Sequence, residues 1–235
     1  CNYLSDSAGS INFMRNKKLE NYALQELSDI KKRERLTDEE RLMTNLLSSQ
    51  PMAFNIFLPL KWNDYSIATC VFSNLFPELK ILSIENIRLE YVPGDDNGKA
   101  KRVIQTDNSC FDVYIEYTDL SKSKAGIGIE VKYTESFSQS DYNKVEGEKK
   151  ERYIRAINTY NQTFNHKNTE KYLSPKFNQL FRNQLLAVEV NDKFKMNCVQ
   201  IVLHSSQDTK CIEPIEEFQN LLNQQNVFFT LTIEQ

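Results

Sequence analysis

Histidine is nearly absent from this chain: His166 and His204 are the only two in 235 residues. That leaves little material for a zinc centre or a histidine-based triad. None of the five cysteines (Cys1, Cys70, Cys110, Cys198, Cys211) forms a CxxC pair. Their odd number and irregular spacing fit a reduced cytoplasm rather than a disulfide framework. No apolar run approaches the roughly 20 residues of a membrane span, so no membrane role is expected. Glycine and proline are scarce, six of each, and no low-complexity tract or internal repeat is visible. A net charge of −3 argues against a generic nucleic-acid coat. It leaves room for an enzyme with a local basic groove.

What remains is a chain long enough to bury a substantial core without staples. Its loop-like windows are the first ten residues, 93–110 and 134–147. The expected organisation is an N-terminal helical extension over 1–36 and a main domain over 37–235. The chain begins with Cys1 rather than Met. Maturation at a lipidated cysteine is one reading; a start inside a longer gene is the other. The apolar Tyr3, Leu4, Ile11 and Phe13 do not resemble a flexible tether, which favours the truncated start.

The first half reads as helix. Leu19, Ala23, Leu27 and Ile30 recur at helical spacing within 15–36. Thr37-Asp38-Glu39-Glu40 resembles a capping box, which predicts a second helix from Asp38 towards Ser49, interrupted or re-aimed by Pro51. Residues 64–76 carry two helical stripes. Residues 81–91 then alternate apolar and polar over their second half, as a half-buried strand does. After the turn cluster at 93–98 come two more strands, 111–117 and 125–133. Helices follow at about 146–165 and 175–190, then strand 198–204, helix 213–224 and strand 226–233. This order describes an α/β chain, a mixed sheet with helices on both sides.

One hairpin concentrates charge. In GIGIEVKY (126–133), Ile127, Ile129, Val131 and Tyr133 share one face; Glu130 and Lys132 share the other with Gly126 and Gly128. Symmetric pairing of strands 111–118 and 125–132 makes partner numbers sum to 243, placing Asp112 opposite Val131. A shift of one residue places Asp112 opposite Glu130. Either register brings Asp112 to about 5 Å from the Glu130/Lys132 pair. Carboxylates that close repel, and a divalent cation relieves the repulsion. Oxygen donors without histidine favour Mg²⁺ first and Mn²⁺ second. Lys132 on the same face could orient or deprotonate a water, or stabilise charge on a phosphate. The set suits metal-assisted phosphodiester hydrolysis.

Asp112 followed by Glu130-Val131-Lys132 resembles the D…(D/E)xK signature of the PD-(D/E)XK nuclease superfamily, the restriction-endonuclease-like fold. Three segments are similar to a bacterial restriction-endonuclease-like branch: NLLSSQPMAFNIFLPL (45–60), FDVYIEY with GIGIEVKYTES (111–136) and QLFRNQLLAVE (179–189). The likeness spans about residues 37–205, with Phe111 standing where proline often precedes the aspartate. The resemblance implies a Mg²⁺-dependent endonuclease acting on DNA, with a restriction or defence role. It implies Asp112 and Glu130 as metal ligands with the Val131 carbonyl as an extra one, and Lys132 as the catalytic lysine. It also points to the Ser49-Gln50 to Asn55 segment, to Glu90, and to one of Gln179, Arg182 and Gln184; Glu135 lies just past the lysine. Among these, Gln50, Glu90 and Gln179 are the further candidates. Cutting a duplex often takes two sites, which points to a homodimer.

Plainer readings compete. Asp112, Glu130 and Lys132 also read as a cross-strand ion pair on a solvated face, an arrangement worth little. The two glycines suggest a cleft or a close approach. Gln50 and Asn55 also suit caps near Pro51. Lys144, Lys149, Lys150, Arg152 and Arg155 suit a phosphate grip, but interleaved glutamates suit a solvated helix face equally. Two alternatives to a DNA endonuclease remain: a non-catalytic nucleic-acid-binding or interaction protein of this fold, and a nuclease for RNA or branched repair DNA.

Overall fold

The computed structural model describes residues 3–4, 12–33, 38–94, 109–134, 137 and 145–235. Helix α1 (Lys17–Lys32) begins where the Asn16 side chain accepts the amide N–H groups of Lys18 and Leu19. Helix α2 (Glu39–Thr44) is capped by Asp38, which accepts from the Arg41 amide; Thr37, the expected cap, lies outside the described residues. Helix α3 (Ser49–Phe57) starts at Ser48, which accepts from the Gln50 amide. The single helix expected from Asp38 is therefore two, separated by residues 45–48. Pro51 does not break a helix: it sits in the first turn of α3, where its missing N–H has no partner to lose. Helix α4 (Ser66–Leu75) follows.

The strands are β1 (Ile81–Tyr91), β2 (Phe111–Asp119) and β3 (Lys124–Val131). Then come α5 (Gly147–Thr159), α6 (Thr169–Tyr172), α7 (Asn178–Phe194), β4 (Asn197–His204), α8 (Thr209–Leu221) and β5 (Phe228–Thr232). The sheet order is β1-β2-β3-β4-β5. The first two pairings are antiparallel and the last two parallel, so this is a mixed sheet. The parallel pairs need crossovers, supplied by α5–α7 and by α8.

Alternation along the strands divides the core. Ile127, Ile129 and Val131 of β3, with Val199, Ile201 and Leu203 of β4, pack against α1, α3 and α4 through Leu27, Phe54, Phe57 and Phe72. Val202 of β4 packs on the other side with Tyr153, Phe181 and Phe218 of α5, α7 and α8. The N-terminal helix is part of the first cluster, contributing Leu19, Ala23, Leu27 and Ile30. Its end is tied to the edge strand: the Arg33 guanidinium donates to the Leu89 carbonyl at 2.9 Å. That bond occupies an edge acceptor that would otherwise be open to another chain.

Two local features aim the strand ends that matter. The β2–β3 loop is shorter than symmetric pairing supposes. Thr118 pairs Lys124, the Asp119 amide donates to the Ser123 carbonyl, and Lys122 takes a left-handed backbone (φ 64°). This is a three-residue hairpin loop with a left-handed last residue. Partner numbers therefore sum to 242, not 243, and continuing the ladder one step past Val113↔Ile129 sets Asp112 opposite Glu130. The second feature is Glu90, whose φ of 46° is rare for a residue with a side chain. Leu89 pairs Val113, and both face the first core; Tyr91 pairs Phe111, yet both join a third cluster with Tyr114, Leu186, Ala187 and Val190. The kink at Glu90 turns the strand ends between these pairs, and Glu90 and Asp112 are the residues at the turn.

Candidate active site

Asp112, Glu130 and Lys132 converge. The Asp112 carboxylate accepts the Val131 amide N–H at 2.7 Å, which fixes it against the end of β3. Glu130 and Lys132 form an ion pair of 2.9 Å in which both side chains are nearly buried, 5% and 8% exposed. The hairpin supplies its own contrast: Lys124 and Glu116 pair at 2.7 Å with exposures of 71% and 31%. Glu116–Lys124 is the solvated cross-strand pair of the plainer reading; Glu130–Lys132 is not. Two buried charges cost several kcal/mol each in lost hydration, so they persist only where further hydrogen bonds satisfy them.

Helix α7 supplies those bonds. Gln179 donates from Nε2 to Glu130 Oε1, and its own Oε1 accepts from Lys132 Nζ at 3.1 Å. Asn183 donates from Nδ2 to Glu130 Oε2 at 2.5 Å. Residues four apart stack on one helix face, so one turn of α7 delivers both amides. Lys132 Nζ also lies 5.3 Å from the centre of the buried Phe137 ring. Of the three residues the sequence left competing on this helix, Gln179 reaches the site. Gln184 is fully buried, its amide atoms meeting no partner among the described residues. Asn183 was missed; the available signal was an amide one helical turn after Gln179, beside the apolar Leu180 and Ala187.

On its other side Asp112 opens into a cleft of about 390 Å³, lined also by Asp38, Arg41, Ser49, Gln50, Ala53, Phe54 and Glu90. Gln50 and Glu90 thus border the same space as Asp112. The Glu90 carboxylate accepts from the Cys110 thiol at 3.3 Å. Asn55 does not join them: its side-chain amide donates to the carbonyls of Asn12 and Pro51. Glu135 and Lys144 lie outside the described residues. Lys150 pairs with Glu170 and Lys149 lies over the Tyr153 ring, as on an ordinary helix surface. His204 is buried, with Nδ1 against the Ser205 carbonyl.

The glycines are not clearance for a ligand. A Cβ at Gly128 would fall 2.2 Å from Phe111 Cε1, and one at Gly126 would fall 2.2 Å from the Tyr114 hydroxyl. The rings of Phe111 and Tyr114 stack (5.8 Å, 17°) and lie over the strand at these positions. The close approach is an aromatic floor.

Electrostatics agree with the crowding. The Asp112 pKa is raised well above the ordinary carboxylate value by burial first, then by the charges of Glu130 and Glu90; Lys132 and the Val131 N–H oppose the rise. Carboxylate oxygens, an excess of like charge and no imidazole suit a hard divalent cation that keeps several waters. Among the described residues, no group of three or more His, Cys, Asp and Glu side chains is placed to hold a metal ion. No described helix is long and apolar enough to cross a membrane.

A mixed sheet flanked by helices, with an aspartate and an ExK pair meeting at adjacent strand ends, defines the restriction-endonuclease-like class of α/β proteins. A family model for the PD-(D/E)XK nuclease superfamily matches residues 1–235, the whole chain, and the protein belongs to that superfamily. No curated protein and no solved structure matches it. Membership points to nuclease chemistry on a nucleic acid.

Proposed function

We propose that this protein is a Mg²⁺-dependent endonuclease that hydrolyses DNA phosphodiester bonds, with Mn²⁺ as a substitute. The observation that carries the reading is the nearly buried Glu130–Lys132 pair beside Asp112, held by Gln179. A sheet has no structural need for three ionisable groups at one spot, and burying their charges costs stability. Asp112 and Glu130 would hold the metal, with the Val131 carbonyl as a further oxygen. Bound there, the cation supplies charge stabilisation at the phosphate and acidifies a water. Lys132 positions that water or meets the developing charge, its ammonium steadied by Gln179. Gln50 and Glu90 border the cleft by which the scissile phosphate reaches Asp112. The restriction or defence setting follows from the resemblance, a homodimer from the two sites that cutting a duplex often takes, and a cytoplasmic location from the unpaired cysteine pattern; these complete the proposal.

The test is incubation of the purified protein with plasmid, linear duplex and single-stranded DNA, and with RNA, with Mg²⁺, Mn²⁺ or a chelator. Cleavage of duplex DNA that needs the metal and disappears in Lys132→Ala supports the reading. No cleavage by the wild type, or equal cleavage by Lys132→Ala, refutes it; cleavage of RNA alone moves the assignment to the other substrate.

A further inference from the structure

Glu130 already has a cation. Its Oε1 lies 2.9 Å from Lys132 Nζ and also accepts from Gln179, while Oε2 accepts from Asn183. Both oxygens are thus engaged, and the group is only 4% exposed. We propose that Lys132 is the resident counter-ion of Glu130, competing with the divalent metal for Oε1, and that metal entry displaces its ammonium onto Gln179. This rests on the nuclease reading for the identity of the metal, but it concerns binding and not turnover.

The hydrogen bonds assign each partner a part. Asn183 takes Oε2 alone, so it can hold the carboxylate in place whichever cation sits at Oε1. Gln179 uses opposite ends of one amide, Nε2 to Glu130 and Oε1 to Lys132. An ammonium leaving Oε1 therefore keeps an acceptor 3.1 Å away without crossing the site. The aromatic face of Phe137, 5.3 Å from Nζ, gives it a second favourable neighbour. With the metal absent, the lysine neutralises a carboxylate that would otherwise be buried unpaired. With the metal present, the same lysine is released next to the cation, where a positive charge is useful to a phosphate. Gln179 and Asn183 are positioning residues in this scheme.

The experiment is titration calorimetry of Mn²⁺ into DNA-free protein, read as a dissociation constant. The variants are Lys132→Met, Lys132→Gln and the double change Lys132→Met with Glu130→Gln, with folding checked by circular dichroism. Removing a like charge beside the site is expected to tighten Mn²⁺ binding about tenfold or more. The gain should vanish in the double variant, which has no Glu130 charge. Lys132→Gln keeps a donor to Oε1 without the charge and serves if Lys132→Met does not fold. Equal or weaker binding by the folded lysine variants overturns the proposal, even if the wild type cleaves DNA. Tighter binding sustains it, even if no substrate is cut.

Discussion

Removing Asn183 tests the site's architecture most economically. Asn183→Ala deletes the only described donor to Glu130 Oε2, between two residues that are each 4% exposed. A hydrogen bond to a charged group contributes about 1.5–3 kcal/mol net, and water cannot readily replace a donor at a site this enclosed. The variant should therefore lose about 2 kcal/mol of stability in urea. Loss of Asn183 packing adds to that figure, so the bond is isolated by a double-mutant cycle with Glu130→Ala. The expected coupling energy is about 1.5 kcal/mol or more, measured metal-free by urea unfolding at neutral pH. A coupling below about 0.5 kcal/mol would mean that the two side chains do not act together. That result would remove the reason for assigning Asn183 to the site.

Other consequences are independent. Gly128→Ala drives a methyl group into Phe111, and overpacking of this kind should cost about 1–3 kcal/mol; a neutral result would show the aromatic floor to be loose. Arg33→Ala removes the bond to the Leu89 carbonyl and a 4.0 Å approach to buried Glu26. It should lower the urea midpoint and loosen α1 from β1, seen as faster amide exchange in residues 17–32. Burial pushes the Cys211 thiol up to about 12 and the Cys198 thiol higher still, leaving little thiolate at pH 8, whereas Cys70 is exposed. Maleimide labelling followed by peptide mass analysis should mark Cys70 in the native protein and Cys198 and Cys211 only in urea. Native labelling of either buried thiol at the rate of Cys70 would contradict the packing of α8 and β4.

Legibility from sequence followed the range of the interactions. Alternation over residues 87–91 announces β1, and the helical stripes at 64–76 contain α4. The pairing of Asp112 with the ExK segment was also readable, since a hairpin brings neighbours in sequence together. Of the two registers left open, the one with Asp112 opposite Glu130 holds because Asp119 and Ser123 close a three-residue loop, with Lys122 left-handed; no residue there marks a positive φ as glycine would. Of the two readings of the glycines, close approach rather than cleft holds; the approaching group was hidden because Phe111 and Val113, two apart on β2, face different clusters against simple alternation. Asn183 escaped because its role depends on how α7 lies across β3, a contact between residues 53 apart in sequence.

The central claim is that Asp112 and Glu130 act on one cation. An anomalous difference map from crystals equilibrated with saturating Mn²⁺ tests it directly. The account predicts a peak within coordination distance of both carboxylates, with Lys132 Nζ moved off Glu130 Oε1. A peak elsewhere in the cleft, or no peak while the ion pair stays intact, would contradict it.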